Sequence, residues 1–168
     1  MPKKVKLKLK SAIKNSILKA PDIMLSKVTE PLNKDNYQRI VNSFLKRSMK
    51  HRKGAVVIAG NQIHIPYSIF IAQLVPNVWK LFINARILKT AKSSFTTSEL
   101  VNGMEGCLSL PGSEHGVARR QKIEVIFRDI GWKPVMAQFE DFQARVVQHE
   151  IDHLNGKLID PNMDWRQE

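Results

Sequence analysis

The sequence predicts an α+β fold, with strands gathered around one buried helix in its last third. Three observations carry this. In residues 140–155, Phe142, Val146, His149 and His153 recur at the i, i+4, i+7, i+11 spacing of one helix stripe. Short β-branched and aromatic runs punctuated by Pro, Gly and Asn fill residues 54–139. An amphipathic helix precedes them, so the order is helix, strands, helix. At 168 residues with 43% hydrophobic content, the chain suits one domain with its own core.

Met1–Lys10 is Lys-rich, with Val5, Leu7 and Leu9 alternating, and fits a short edge strand or a disordered arm. Residues 1–16 are read as a basic arm and 17–168 as a single domain. Ile13, Ile17 and Leu18 suggest a short helix that ends before Pro21. Leu32–Arg52 reads as an amphipathic helix with Asn33 as N-cap. Its buried stripe is Ile40, Val41, Phe44, Leu45, Ser48 and Met49. Gly54–Gln62 is apolar and rich in small residues, which lets backbone approach backbone or a ligand. Ser68–Ala72 and Val78–Phe82 read as strands around Pro76-Asn77, and Ala91–Gly103 as a polar surface loop. Lys122–Ile130 and Val135–Phe139 are strands separated by Gly131 and Pro134. Glu140 and Asp141 suit the first turn of the last helix, and Gly156 its stop.

Charge is uneven. Residues 1–53 carry 15 Lys or Arg against Asp22, Glu30 and Asp35, a net +12, while residues 54–168 balance. An anionic partner, RNA or the ribosome first, and a merely solvated basic surface both fit this. Met1–Lys19 has no aromatic residue, so a base-stacking platform is not indicated. No apolar run approaches the roughly 20 residues of a membrane span. The basic N-terminus lacks the apolar segment of a secretory signal. The lone cysteine, Cys107, excludes an internal disulfide and fits a reducing compartment.

The chemistry centres on His149-Glu150-Ile151-Asp152-His153. Two histidines four residues apart lie on one helix face and reach one metal ion, while the glutamate between them can handle the proton of a bound water. Catalytic sites of this kind usually take three protein ligands. The downstream histidine of one zinc-peptidase pattern falls on Ile159, which cannot bind metal. Cys107, His115, His64 and His51 remain upstream, with Asp160 and Asp164 beyond the helix stop. Cys107 sits in Glu105-Gly106-Cys107-Leu108-Ser109-Leu110-Pro111. A thiolate suits Zn or Fe(II), and the neighbouring glycine permits the tight backbone turn of a ligand loop.

Glu105-Gly106-Cys107-Leu108-Ser109 followed by Gln148-His149-Glu150-Ile151-Asp152-His153-Leu154-Asn155-Gly156 resembles the two most diagnostic motifs of peptide deformylases. Gly54–Gln62 is similar to that family's first motif, and Pro21-Asp22 with Leu25 to its N-terminal region, so the resemblance spans about residues 17–160. It implies antiparallel sheets packed around a central metal-binding helix. It implies removal of formate from N-formyl-methionine on newly made polypeptides, in the cytoplasm of a bacterial-type cell or in an organelle. The implied metal ligands are Cys107, His149 and His153, holding Fe(II) in the cell, with Zn, Ni or Co able to replace it. Metal-bound hydroxide would attack the formyl carbon with Glu150 as base and then acid. The Gln62 side-chain amide and the Leu108 N–H would hold the oxyanion. The methionine pocket would be walled by Val56, Phe142, Val146 and the stem of Arg145, with Glu105 and Gly106 at its edge. Arg119 and Asp152 would pair behind the metal helix.

The sequence departs from the family at two usual glycines, which are Ala55 and Val57 here; Val57 is expected to narrow the cleft. Some bacterial members dock on the ribosome through a long C-terminal helix, and the basic first third could substitute for it. Two other readings stay open. A metallopeptidase would cleave unformylated peptides without needing Cys107, and a degenerate, non-catalytic relative would bind the ribosome or RNA.

Overall fold

Ile69-Phe70-Ile71-Ala72 is apolar at every position because the strand it forms is covered on both faces. The computed structural model describes residues 16–159. Its strands are β1 (Val57–Ala59), β2 (Ile69–Val75), β3 (Val78–Ile87), β4 (Leu100–Cys107), β5 (Leu110–Arg120), β6 (Lys122–Arg128) and β7 (Pro134–Glu140). Its α-helices are α1 (Tyr37–Ser48) and α2 (Asp141–Leu154). The strands pair antiparallel, in a five-stranded sheet of order β1-β2-β3-β6-β7 and a separate β4-β5 ribbon. The α+β expectation, with antiparallel sheets around the motif helix, is therefore met.

Alternation within the strands decides which helix covers which face. Phe70, Ala72, Phe82, Ile123, Val125 and Phe127 join Ala144, Val147, Ile151 and Leu154 of α2 in one core. Ile69, Ile71, Leu81 and Ile83 join Ile40, Val41 and Phe44 of α1 in a second. Phe82 sits at the centre of the first, stacked on Phe70 at 4.4 Å between ring centroids and tilted against Phe127 at 4.6 Å. The strands thus carry α2 on one side, and α1 braces them from the other.

Several expected elements differ. Ile17 and Leu18 are not helical; Leu18 N–H donates to Gln62 O at 2.8 Å, and the first helical turn is Ile23–Ser26, after Pro21. There the Asp22 carboxylate accepts from Met24 N–H at 2.9 Å. Helix α1 begins at Tyr37, five residues later than the pattern suggests. Asn33 Oδ1 accepts from the N–H groups of Asp35 and Asn36, a local turn that competes with helix. Met49 lies beyond the helix and is 64% exposed, so it leaves the stripe. Leu100–Gly103 is strand rather than loop, and β3 runs on to Ile87 past an irregularity at Asn84. The Met1–Lys10 arm, Ile13, Asp160 and Asp164 lie outside the described residues.

Candidate active site

Helix α2 presents His149, Glu150 and His153 inward, 9%, 1% and 1% exposed. Asn155 caps its end, and Gly156 turns the chain at φ +70°. A Cβ on Gly156 would stand 2.6 Å from Ser26 O, so the stop is also a close contact with the first helical turn. Phe142 does not face inward with the histidines. It sits in the first turn of α2, 63% exposed, overhanging a cavity mouth.

The β4-β5 hairpin delivers the third donor. Cys107 pairs with Leu110 across the tight turn at Leu108 and Ser109, after a register shift between Gly106 and Cys107. Gly106 lies within β4 and has no positive φ, so the turn does not rest on it as the sequence suggested. Among the described residues, Cys107 Sγ and one ring nitrogen each of His149 and His153 come within 4.8 Å of one another. His115, His64 and His51 are not part of this group.

The donor set fits a metal ion. Cys107 Sγ and His153 Nε2 are 3.3 Å apart, and a tetrahedral ion with ordinary zinc–sulfur and zinc–nitrogen bonds separates such atoms by about 3.5 Å. His149 Nδ1 is tied to Glu105 Oε2 at 2.9 Å, which leaves Nε2 for the cluster. Ser109 N–H donates to Cys107 Sγ at 3.4 Å, as suits a thiolate. Burial holds His153 well below the usual imidazole range, so its nitrogen keeps a lone pair. Burial works against a charged His149, but hydrogen bonds to Cys107 and Glu105 outweigh it and push it up to about 10 without a cation present.

Glu150 is the group poised for proton transfer. Burial raises its carboxyl to about 7 despite the nearby His149 charge. Oε1 lies 3.9 Å from His149 Nε2, and Oε2 is buried without a hydrogen-bond partner among the described residues. An orphaned carboxylate oxygen beside a metal-type cluster is suited to receive a proton from a molecule in the cleft.

Gln62 stands across the cleft, 2% exposed, on the turn after β1. Ala59 N–H donates to its Oε1 at 2.9 Å, so the amide's NH₂ end faces the hairpin, 3.2 Å from Ser109 Oγ and 3.9 Å from Cys107 Sγ. Gly60 lets the chain turn here, since a Cβ would meet Ile65 O at 2.7 Å. Leu108 lines the same cleft, a cavity of about 510 Å³ reaching Glu150. A smaller cavity of about 190 Å³ opens beside it, lined by Val56, Phe142, Arg145 and Val146 together with Glu105 and Gly106. Val57 lines both cavities.

Glu105 does more than edge that cavity. It accepts from Arg119 Nε and Nη2 at 2.9 Å each and from Arg145 Nη1 at 2.8 Å, besides its bond to His149. Burial pushes its carboxyl up, and the bonds from His149 and Arg119 outweigh this and hold it at about 2. Arg119 also pairs with Asp152 on the outer side of α2. Arg145 also donates to Val101 O and Val117 O, at 2.7 and 2.8 Å. Sequence reasoning missed two further contacts. Asn61 Nδ2 donates to His153 O at 2.6 Å, and the Gln148 amide pairs with both backbone groups of Arg120 at 3.0 and 2.9 Å. Asn61 neighbours Gln62 and Gln148 neighbours His149, and that adjacency was the one signal available.

Residues 14–167 match the family model described as Polypeptide deformylase. The chain is 32% identical to peptide deformylase 1 of Rickettsia conorii over 154 residues, covering 85% of this chain and 83% of that protein. It is 33% identical to peptide deformylase 1 of Clostridium perfringens over 151 residues, covering 88% and 96%. Among solved structures it is similar to the peptide deformylase of Thermotoga maritima, with a TM-score of 0.71, 29% identity and coverage of 84% and 92%. It is also similar to a Met-Ala-Ser-bound class I type b peptide deformylase of Acinetobacter baumannii, with a TM-score of 0.71, 26% identity and coverage of 84% and 93%.

Proposed function

The chain belongs to the polypeptide deformylase family, and from that premise we propose that Cys107, His149 and His153 hold one divalent ion while Glu150, Gln62 and Leu108 act on a formyl group beside it. It is a hydrolase of this kind, removing N-formyl groups from nascent peptides. The observation that carries the finer reading is the convergence of those three donors within 4.8 Å, next to a buried carboxylate oxygen that has no hydrogen-bond partner among the described residues.

Fe(II) is the ion proposed in the cell, with Zn, Ni or Co as substitutes, and when bound it supplies a Lewis acid that makes water acidic and polarises a carbonyl. Glu150 takes the proton of the attacking water and passes it to the leaving amine. Burial raises its carboxyl above the ordinary carboxylate range, which brings it closer to what both transfers need at neutral pH. The Gln62 amide, fixed by Ala59, and the Leu108 N–H donate to the oxygen that gains charge at the tetrahedral carbon. The substrate methionine enters the 190 Å³ cavity against Val56, Phe142 and Val146, and the peptide follows the larger cleft past Val57 and Gly106. Arg119 and Asp152 hold Glu105 and α2, and through them His149, in place.

The test is formate release from formyl-Met-Ala-Ser by protein loaded anaerobically with Fe(II) or Ni(II), with Glu150→Ala as control. Formate from the wild type and none from the variant is the expected result. Cleavage of unformylated Met-Ala-Ser would favour a peptidase. No formate from fully loaded wild type would favour a binding module.

Lys34, Arg39, Lys46 and Lys53 are exposed on and beside α1, with Asp35 the one acid between residues 31 and 53. This face suits the ribosome, where formylated chains emerge in a bacterial cytoplasm or an organelle. Co-sedimentation with ribosomes should fall steeply as salt rises; binding indifferent to salt would rule this face out.

A further inference from the structure

We propose that Lys19 is a positioning residue that sets how strongly the Cys107 sulfur donates to a bound metal ion, acting through the single peptide group between Leu108 and Ser109. The proposal rests on the three-ligand reading above. Lys19 Nζ donates to Leu108 O. The N–H of that same peptide group, on Ser109, donates to Cys107 Sγ at 3.4 Å. One planar, conjugated unit therefore joins a cation at its oxygen to a thiolate at its hydrogen. The neighbours of Lys19 fix its place. Leu18 N–H donates to Gln62 O at 2.8 Å and Ala20 N–H to Ser109 O at 3.0 Å, so the backbone on either side of Lys19 is held against the cleft that it lines.

The direction of the effect follows from the electronics. A cation on the carbonyl oxygen draws density out of the amide and makes the N–H a better donor, because charge-assisted bonds are stronger and polarise the bonds linked to them. A stronger N–H···S bond takes charge from the sulfur. The sulfur then gives less to the metal, which becomes the stronger Lewis acid. A thiolate ligand otherwise quenches a metal's acidity, so the relay returns part of what the cysteine removes. Gln62 Nε2 is a second donor toward the sulfur, but at 3.9 Å a weaker one. Lys19 is exposed, so shortening or neutralising it leaves the core intact.

The test loads Co(II) into wild type, Lys19→Met and Lys19→Arg and records the sulfur-to-cobalt charge-transfer band. The expected result is a shift to longer wavelength in Lys19→Met and the wild-type position in Lys19→Arg. An unmoved band in Lys19→Met overturns the inference, even if Co(II) affinity falls, since a contact that merely holds the hairpin would give that. An equal shift in Lys19→Arg overturns it too, because the charge would not be responsible. Formate release by wild type is measured beside it. A band that stays put while wild type releases formate sinks this inference alone, and a wild type without any sulfur band sinks the ligand set as well.

Discussion

Glu105 accepts hydrogen bonds from two arginines and a histidine at once, with its carboxyl held at about 2. Replacing it by Gln leaves Arg119 and Arg145 buried with less compensation and lets His149 turn. Glu105→Gln should bind Co(II) 10- to 100-fold more weakly in a chelator competition. It should also lose on the order of 3 kcal/mol of stability in denaturant. The folded carboxyl titrates below its ordinary value of 4.5, so its contribution is complete above that pH and is lost as pH falls toward 2. The acid limb of the unfolding free energy should therefore be shallower in Glu105→Gln than in wild type. Glu150 titrates the other way. Its carboxyl is raised to about 7 by burial, and a cation beside it can only lower that value. The acid limb of kcat/KM should lie at or below pH 7, and a limb well above it would take the base role from Glu150. The cluster of Cys107, His149, His153 and Glu150 was legible because its motifs are local. The Glu105 network was not, because β4, β5 and α2 meet only in the folded chain.

The two ends of α2 show what an element demands of its neighbours. At the start, Phe142 shares the stripe of the buried histidines, yet from the first turn it is 63% exposed and overhangs the cavity. At the finish, Gly156 has a positive φ and touches the backbone of Ser26 and Lys27. Gly156→Ala should cost about 2 kcal/mol or more in denaturant unfolding, from backbone strain plus the clash. A loss under about 0.5 kcal/mol would mean the first helical turn yields easily. The stretch Leu100–Gly103 read as loop for a related reason. This end of the β4-β5 ribbon buries little apolar surface, with Leu100 and Val101 50% and 41% exposed, so no alternation marks it as strand. Strands β2, β3 and β6 were readable because both their faces or one full face is buried.

At the scale of the whole molecule, the order helix, strands, helix was enough to give the fold class, since each apolar face needs a partner layer. The ribbon's separation from the main sheet left no trace in composition. Thr29 spans the molecule in another sense. Its N–H and Oγ1 donate to Leu154 O at 2.8 and 2.9 Å, across 125 positions of sequence. Closing so long a loop costs more entropy than closing local turns and hairpins, so this contact is expected to form after them. Cys107 and the two histidines, on separate elements, are expected to meet at a similarly late stage, which is when the proposed metal ion would first find all three. Added Co(II) should leave the refolding rate in stopped-flow fluorescence unchanged and slow unfolding by the full binding energy, because the ion would grip only what lies past the barrier. Refolding that accelerates with Co(II) would mean the ligands gather early, and that the ion guides the chain instead of sealing it.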